Sequence, residues 1–214
     1  MYYKGLTGSR QFDINTENSD TDYSVITNDI KNNYTKSRND DFHYLSPTEV
    51  ISYIFEYNKW INAWKVIGTL FSNPVIETEF SRYLLEVREE LIRSNLPRFG
   101  KIMLDYSKVM NPYNNGKIGE SPTKRTIYAI IFLNAYINYA TKEISFEEAF
   151  KLSDELTEFI KGIRLKTIPC ETQMEKLNSM MEEAKHLKRF YDKEPDLITF
   201  NKIKSNMKVL LNIE

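Results

Sequence analysis

Residues 8–23 read GSRQFDINTENSDTDY: a Gly8-Ser9 pair, ten further residues, then Asp20-Thr21-Asp22. A glycine lets the backbone turn sharply and approach a ligand closely, and the amides that follow it, with the Ser9 hydroxyl, can point at phosphate oxygens. Strand periodicity places Asp20 and Asp22 on one face with Thr21 on the other, so two hard oxygen ligands converge on shared cations. The bland alternative is a glycine turn and an Asx-rich loop over 15–19 that enters an ordinary strand with solvated aspartates. At average composition the pattern arises by chance in roughly a few of every thousand chains of this length. It therefore needs a third acid.

Asp40-Asp41-Phe42-His43-Tyr44-Leu45 supplies one. A further carboxylate beside such a pair could serve as an additional cation ligand or as a general base. Asp41 heads the alternating run and shares a face with His43, while a one-residue register slip would exchange it for Asp40.

Outward from this core the chain changes character near residue 46. Before it, three short strands are expected, over 2–7, 21–27 and 41–45. Between the second and third, 28–40 carries too little apolar content to pack and reads as a mobile loop. After it every segment reads as helix, about seven in all. Ser46-Pro47-Thr48-Glu49 joins a hydroxyl cap, a proline at the first helical position and a reciprocating glutamate; Ser121-Pro122 and Ser145–Glu148 repeat the logic. Phe80, Tyr83, Leu84, Val87 and Leu91 make one buried helical stripe, and Met174, Leu177, Met181, Ala184 and Leu187 another. Gly68 and Gly100 are expected to interrupt or bound helices, and Asn73-Pro74, Asn95-Leu96-Pro97 and Asn111-Pro112 to stop or kink them. The fold class is α+β: a small mixed β-sheet core over 1–73, then a mostly α-helical region over 74–214 that completes a substrate cleft.

Gly-Ser-Arg at 8–10, Ser19-Asp20-Thr21-Asp22-Tyr23, and the aspartate-headed strand leading through Tyr44-Leu45-Ser46 into a helix resemble the minimal DNA polymerase beta superfamily nucleotidyltransferases of bacteria and phages. The nearest branch is the RNA-ligase-associated nucleotidyltransferases. The likeness continues at Leu70-Phe71-Ser72-Asn73-Pro74 and, more faintly, at 125–131. It departs at Ile131, where the branch carries an arginine, and near Gly68, where it carries a glutamate, so contacts made there do not transfer. Larger relatives also carry a helix before the first strand; the expectation here is either a trimmed version of the fold or a C-terminal helix in that place.

The resemblance implies metal-dependent transfer of a nucleoside monophosphate from an NTP to a hydroxyl. Asp20, Asp22 and Asp41 would be the catalytic and metal-binding acids for two Mg2+ ions, with Mn2+ as a substitute. Gly8, Ser9 and Arg10 would hold the triphosphate. Lys124 and Arg125 join that set because cations in the first turn of a helix oppose its dipole and so suggest another purpose, such as phosphate. The acceptor is expected to be an RNA 3′ end, met by Lys31, Lys36 and Arg38. An antitoxin-type AMP transfer to a protein hydroxyl, and a nucleotide-binding regulatory module without turnover, are the alternatives.

Composition limits the partners. The 214 residues carry 29 Lys and Arg against 30 Asp and Glu, net −1, so there is no general field for polyanions and any nucleic-acid contact must be local. The lone Cys170 cannot form an internal disulfide, and MYYKGLTGSR has no apolar core of a secretory signal, so a cytoplasmic location is expected. The apolar run at 128–133 is far shorter than the ~20 residues that span a bilayer. His43 and His186 do not make zinc spacing. His43 is expected to neighbour a carboxylate, and Trp60 and Trp64 to pack in a core. The basic runs Lys185/Lys188/Arg189 and Lys202/Lys204/Lys208 read as solvated helix faces.

Overall fold

The computed structural model describes all residues except 11, 13, 16, 18, 31–33, 57–68, 71, 112–121 and 188–191, and leaves out the side chains of Ser9 and Pro122. The chain divides into two compact units, Met1–Asn95 with Asp196–Glu214, and Leu96–Pro195. The division thus falls at 95/96, with the C-terminus returning to the first unit, where the sequence suggested a functional core ending at 73.

In the first unit, β1 (Tyr3–Thr7), β2 (Thr21–Ile26), β3 (Tyr34–Ser37) and β4 (Asp40–Leu45) form one mixed sheet in the order β1-β2-β4-β3. β1 runs antiparallel to β2, β2 parallel to β4, and β3 antiparallel to β4. The presence of β3 corrects the loop expected over 28–40. An edge strand needs few apolar residues, because backbone pairing on one side and contacts on one face suffice to hold it. Arg38, at a positive φ of 56°, makes the turn from β3 into β4 without the Asn-Gly signature that would have flagged a hairpin.

Tyr3, Ile26 and Leu45 lie on one face of the sheet and are buried. The Tyr3 ring meets Phe80 edge-on at 6.3 Å, and its hydroxyl donates to the Ser72 carbonyl at 2.9 Å. Burial pushes that hydroxyl's pKa up to about 12, with the Ser72 bond acting against it. The outer edge of β1 is closed by the following segment: Leu6 N donates to the Asn73 carbonyl at 3.1 Å and Val75 N to the Lys4 carbonyl at 2.8 Å. A Cβ on Gly5 would strike Ser72 Oγ and the Tyr3 hydroxyl, so this edge closes only on a glycine.

Among the described residues three helices complete this unit: α1 (Pro47–Phe55), α2 (Glu79–Ser94) and, from the C-terminus, α8 (Leu197–Leu210). Ser46 and Glu49 make the expected capping box on α1, and Thr78 with Ser81 makes a second on α2. On α2, Phe80, Leu84 and Leu91 are buried, while Tyr83 and Val87 lie at the margin. α8 joins this group through Phe200, whose ring lies 5.0 Å from that of Phe55, and through Lys204 paired with Glu56 at 2.8 Å.

The second unit is helical: α3 (Leu96–Met110), α4 (Pro122–Thr141), α5 (Phe146–Ala149), α6 (Asp154–Arg164) and α7 (Cys170–Lys185). Ala129, Ile130, Ile131, Leu133, Ala135 and Tyr136 are all fully buried on α4, which makes it the central helix of this unit. Tyr106 of α3 packs against Phe132 at 4.4 Å, and Phe150 meets Phe132 edge-on at 5.8 Å. The Ser145–Glu148 capping box forms but starts a single turn. α3 runs through Gly100, which neither interrupts nor bounds it; the glycine is buried there. On α7 the buried set is Gln173, Leu177, Met180, Met181 and Ala184, and Met174 is exposed. The stripe is thus rotated from the one expected, because the Gln173 amide turns in to cap the Ile168 carbonyl at 2.8 Å. Eight helices are present among the described residues. None of them is long and apolar enough to cross a membrane.

Candidate functional site

β1 ends in Thr7 and passes directly into a single 3-10 turn, Gly8–Arg10. Gly8 adopts a φ of 72°, in the left-handed region that side chains disfavour. A Cβ there would collide with the Asp22 carboxylate, so the turn and the acid are in direct contact and only glycine permits it.

The sheet register then lines up the acids. Thr7, Asp22, Asp41 and Lys36 are successive partners across β1, β2, β4 and β3. Partners in register share a face, so Asp22 and Asp41 stand side by side on neighbouring strands. The same register pairs Asp40 with Thr21, which turns Asp40 to the opposite face and makes Asp41 the neighbour of Asp22. Asp20 lies just before β2, yet its carboxylate joins the group, because Lys36 Nζ bonds Asp20 Oδ2 at 3.0 Å and lies 3.6 Å from Asp41 Oδ1. The bond to Asp20, then the Asp20 and Asp41 charges, hold the Lys36 ammonium pKa above the usual lysine range.

His43 occupies the next position along β4 on this face. Its Nε2 is 3.8 Å from Asp22 Oδ1, so the carboxylate it neighbours is Asp22, across the parallel pair. Tyr34 packs its ring against His43 at 5.2 Å. Partial desolvation, and then the Asp41 carboxylate beside it, raise the Tyr34 hydroxyl pKa above the usual tyrosine value. Asp41 Oδ1 is itself buried without a hydrogen-bond partner, and so is Arg10 Nε. Arg10 is anchored by Nη2 donating to the Ser19 carbonyl at 3.1 Å, which ties the turn to the residue before Asp20.

These side chains suit a hard divalent cation in donor chemistry, since all three acids offer oxygen and one offers a buried oxygen without a hydrogen-bond partner. As the side chains stand, no group of three acidic, histidine or cysteine residues among those described is gathered closely enough to hold an ion. Lys36 stands between two of the acids. Of the basic residues expected to meet an RNA end, Lys36 is therefore turned onto the acids, Arg38 is exposed in the hairpin turn, and Lys31 lies outside the described residues.

Comparison of the chain with protein-family models, with curated proteins and with solved structures finds no match. The site's chemistry therefore rests on its own geometry.

The structure gathers Gly8, Arg10, Asp20, Asp22 and Asp41 within the first unit, with the backbone of Ser9 in the turn between the first two. Lys124 and Arg125 belong to the second unit, both exposed in the first turn of α4. Ile131, at the position where the resembling branch has an arginine, is a core residue. Trp60, Trp64 and Gly68 lie outside the described residues. The pairing of Lys36 and Tyr34 with the acids was missed in the sequence. The alternation Tyr34/Lys36 against Thr35/Ser37 is the signal that could have found it, had the segment been read as an edge strand.

The opposite face of the sheet has another character. Tyr23 stacks on Phe42 at 5.2 Å, Phe42 on Tyr44 at 6.4 Å, and Lys4 Nζ sits 4.1 Å above the Tyr23 ring. Tyr44 accepts from Thr35 Oγ1 at 3.2 Å. This aromatic ladder backs the acid-bearing strands and stiffens the pair of β2 and β4 by cross-strand contacts.

Proposed function

We propose that this chain is a magnesium-dependent nucleotidyltransferase of the DNA polymerase beta superfamily type, which moves a nucleoside monophosphate from an NTP to an acceptor hydroxyl. The observation that carries the reading is the Gly8 turn lying against Asp22 while Asp22 and Asp41 are register partners. A phosphate-binding turn and a pair of hard oxygen ligands are thereby adjacent, as the reaction requires. The small mixed sheet followed by helices supports a polymerase-beta-like core.

In this reading Asp20, Asp22 and Asp41 hold magnesium, or manganese in its place. Bound there, the metal would neutralise triphosphate charge and activate the acceptor hydroxyl. The amides of residues 8–10 and the Arg10 guanidinium orient the phosphates. The acceptor oxygen attacks the α-phosphorus, and the bond from that phosphorus to the bridging oxygen breaks. Pyrophosphate leaves with the electron pair, and the Asp41 carboxylate takes the hydroxyl proton.

A second reading, a nucleotide-binding module without turnover, is favoured by one observation: Lys36 already pairs with two of the acids. Incubation with each α-labelled NTP, magnesium, and a mixed pool of RNA and protein separates the readings. Label in RNA that disappears in Asp22→Asn supports transfer to an RNA end. Label in protein redirects the acceptor to a protein hydroxyl. No label in either pool, with nucleotide still bound, would leave the binding module.

A further inference from the structure

We infer that Lys36 is a tethered counter-ion of the acid group, one that competes with a divalent cation for Asp20 and Asp41 and yields to it when a phosphate arrives to receive the ammonium. The inference rests on the functional reading above and gives Lys36 a role at the acids in place of the RNA contact expected of it. Three observations carry it. The first is position: Lys36 is the register partner of Asp41, whose own partner is Asp22, so its side chain rises from the same face. The second is geometry. Nζ lies 3.0 Å from Asp20 Oδ2 and 3.6 Å from Asp41 Oδ1, which is the space between the carboxylates that a shared cation would need. At 3.6 Å the ammonium is too far to hydrogen-bond Asp41 Oδ1, so that buried oxygen keeps its bonding capacity.

The third is freedom to leave. The Lys36 side chain is 52 % exposed and belongs to the edge strand, and Lys has a flexible stem carrying a point charge with three donors. Three carboxylates on one face repel each other, and one ammonium offsets part of that repulsion at little cost in order. A dication offsets more, but its binding must displace the ammonium. An exposed ammonium is stable in water, and more so beside a phosphate held at the Gly8–Arg10 turn. Metal and nucleotide binding are then coupled through Lys36, and by linkage each tightens the other by the same factor.

The effect expected is that of one exposed ion pair, about fivefold in affinity. Titration calorimetry with Mg2+ alone, and electron paramagnetic resonance with Mn2+ alone, measure it on the full chain. Lys36→Met keeps the stem and removes the charge, and is expected to bind either ion about fivefold more tightly than the parent. Lys36→Arg keeps a charge and is expected to stay near the parent. A non-hydrolysable NTP analogue is expected to tighten Mn2+ binding more in the parent than in Lys36→Met. If the parent binds metal and Lys36→Met binds it no more tightly, the counter-ion role is wrong and the functional reading stands. If neither binds metal at millimolar concentration, and Asp22→Asn and Asp41→Asn bind nucleotide as the parent does, the functional reading itself falls and this inference with it.

Discussion

The parallel pair β2–β4 has two ends built on one backbone ladder. At one end Asp22 faces Asp41; at the other, Ile26 faces Leu45. The apolar pair is buried to 0 % and 3 % exposure, together with Tyr3 from β1. The acidic pair keeps 24 % and 15 % of its side-chain surface in solvent. Like charges directly opposite one another destabilise a sheet, so the acidic end cannot hold its own register. The apolar end holds it instead, through the packing of Tyr3, Ile26 and Leu45 and the β1 edge closed by residues 73–75. Rigidity is supplied at one end and charged side chains are displayed at the other, four residues along the same strands.

Four substitutions probe this division, taken in order of expected effect. Asp41→Asn is expected to lower the rate of nucleotidyl transfer about a thousandfold while leaving the melting temperature within a few degrees, because it removes a base and ligand but no packing. A variant that lost stability to the same degree would mean that the acidic end is structural. Ile26→Ala is expected to cost about 3 kcal/mol in urea unfolding, since it empties a fully buried position at the end that fixes the register.

Gly8→Ala is expected to weaken binding of an NTP analogue by about tenfold or more, because the left-handed backbone and the Asp22 contact cannot both survive a Cβ. Calorimetry checks it, and unchanged affinity would separate the turn from the phosphate site. Asp22→Asn is expected to raise stability in chelator by about 0.5 kcal/mol, the relief of one like-charge pair. A thermal melt without added metal reads this smallest effect, and a fall in stability would mean that the His43 contact to Asp22 outweighs the repulsion.

What the sequence disclosed follows from where local chemistry governs. The three strands and the caps at Ser46 and Ser145 were legible because alternation and hydroxyl-to-amide bonding act within a few residues. The adjacency of Asp22 and Asp41 was legible only as a pair of alternatives, since the choice against Asp40 depends on strand register, which nothing in either strand alone determines. β3 was hidden because an edge strand of four residues with one charged face looks like a polar loop until its partner is known. Met174 was misplaced because a glutamine that caps a carbonyl took the inward position. The return of α8 to the first unit, from the far end of the chain, has no local signal at all.

In the proposed function the acids at this end of the sheet bind metal-NTP. The decisive measurement is calorimetric titration of a non-hydrolysable NTP analogue, with and without magnesium, into the parent and into Asp20→Asn/Asp22→Asn. Magnesium is expected to tighten binding to the parent by at least about tenfold, and the double variant to lose this stimulation while binding the metal-free analogue about as well as the parent. Magnesium-stimulated binding that persists undiminished in the double variant would overturn that reading.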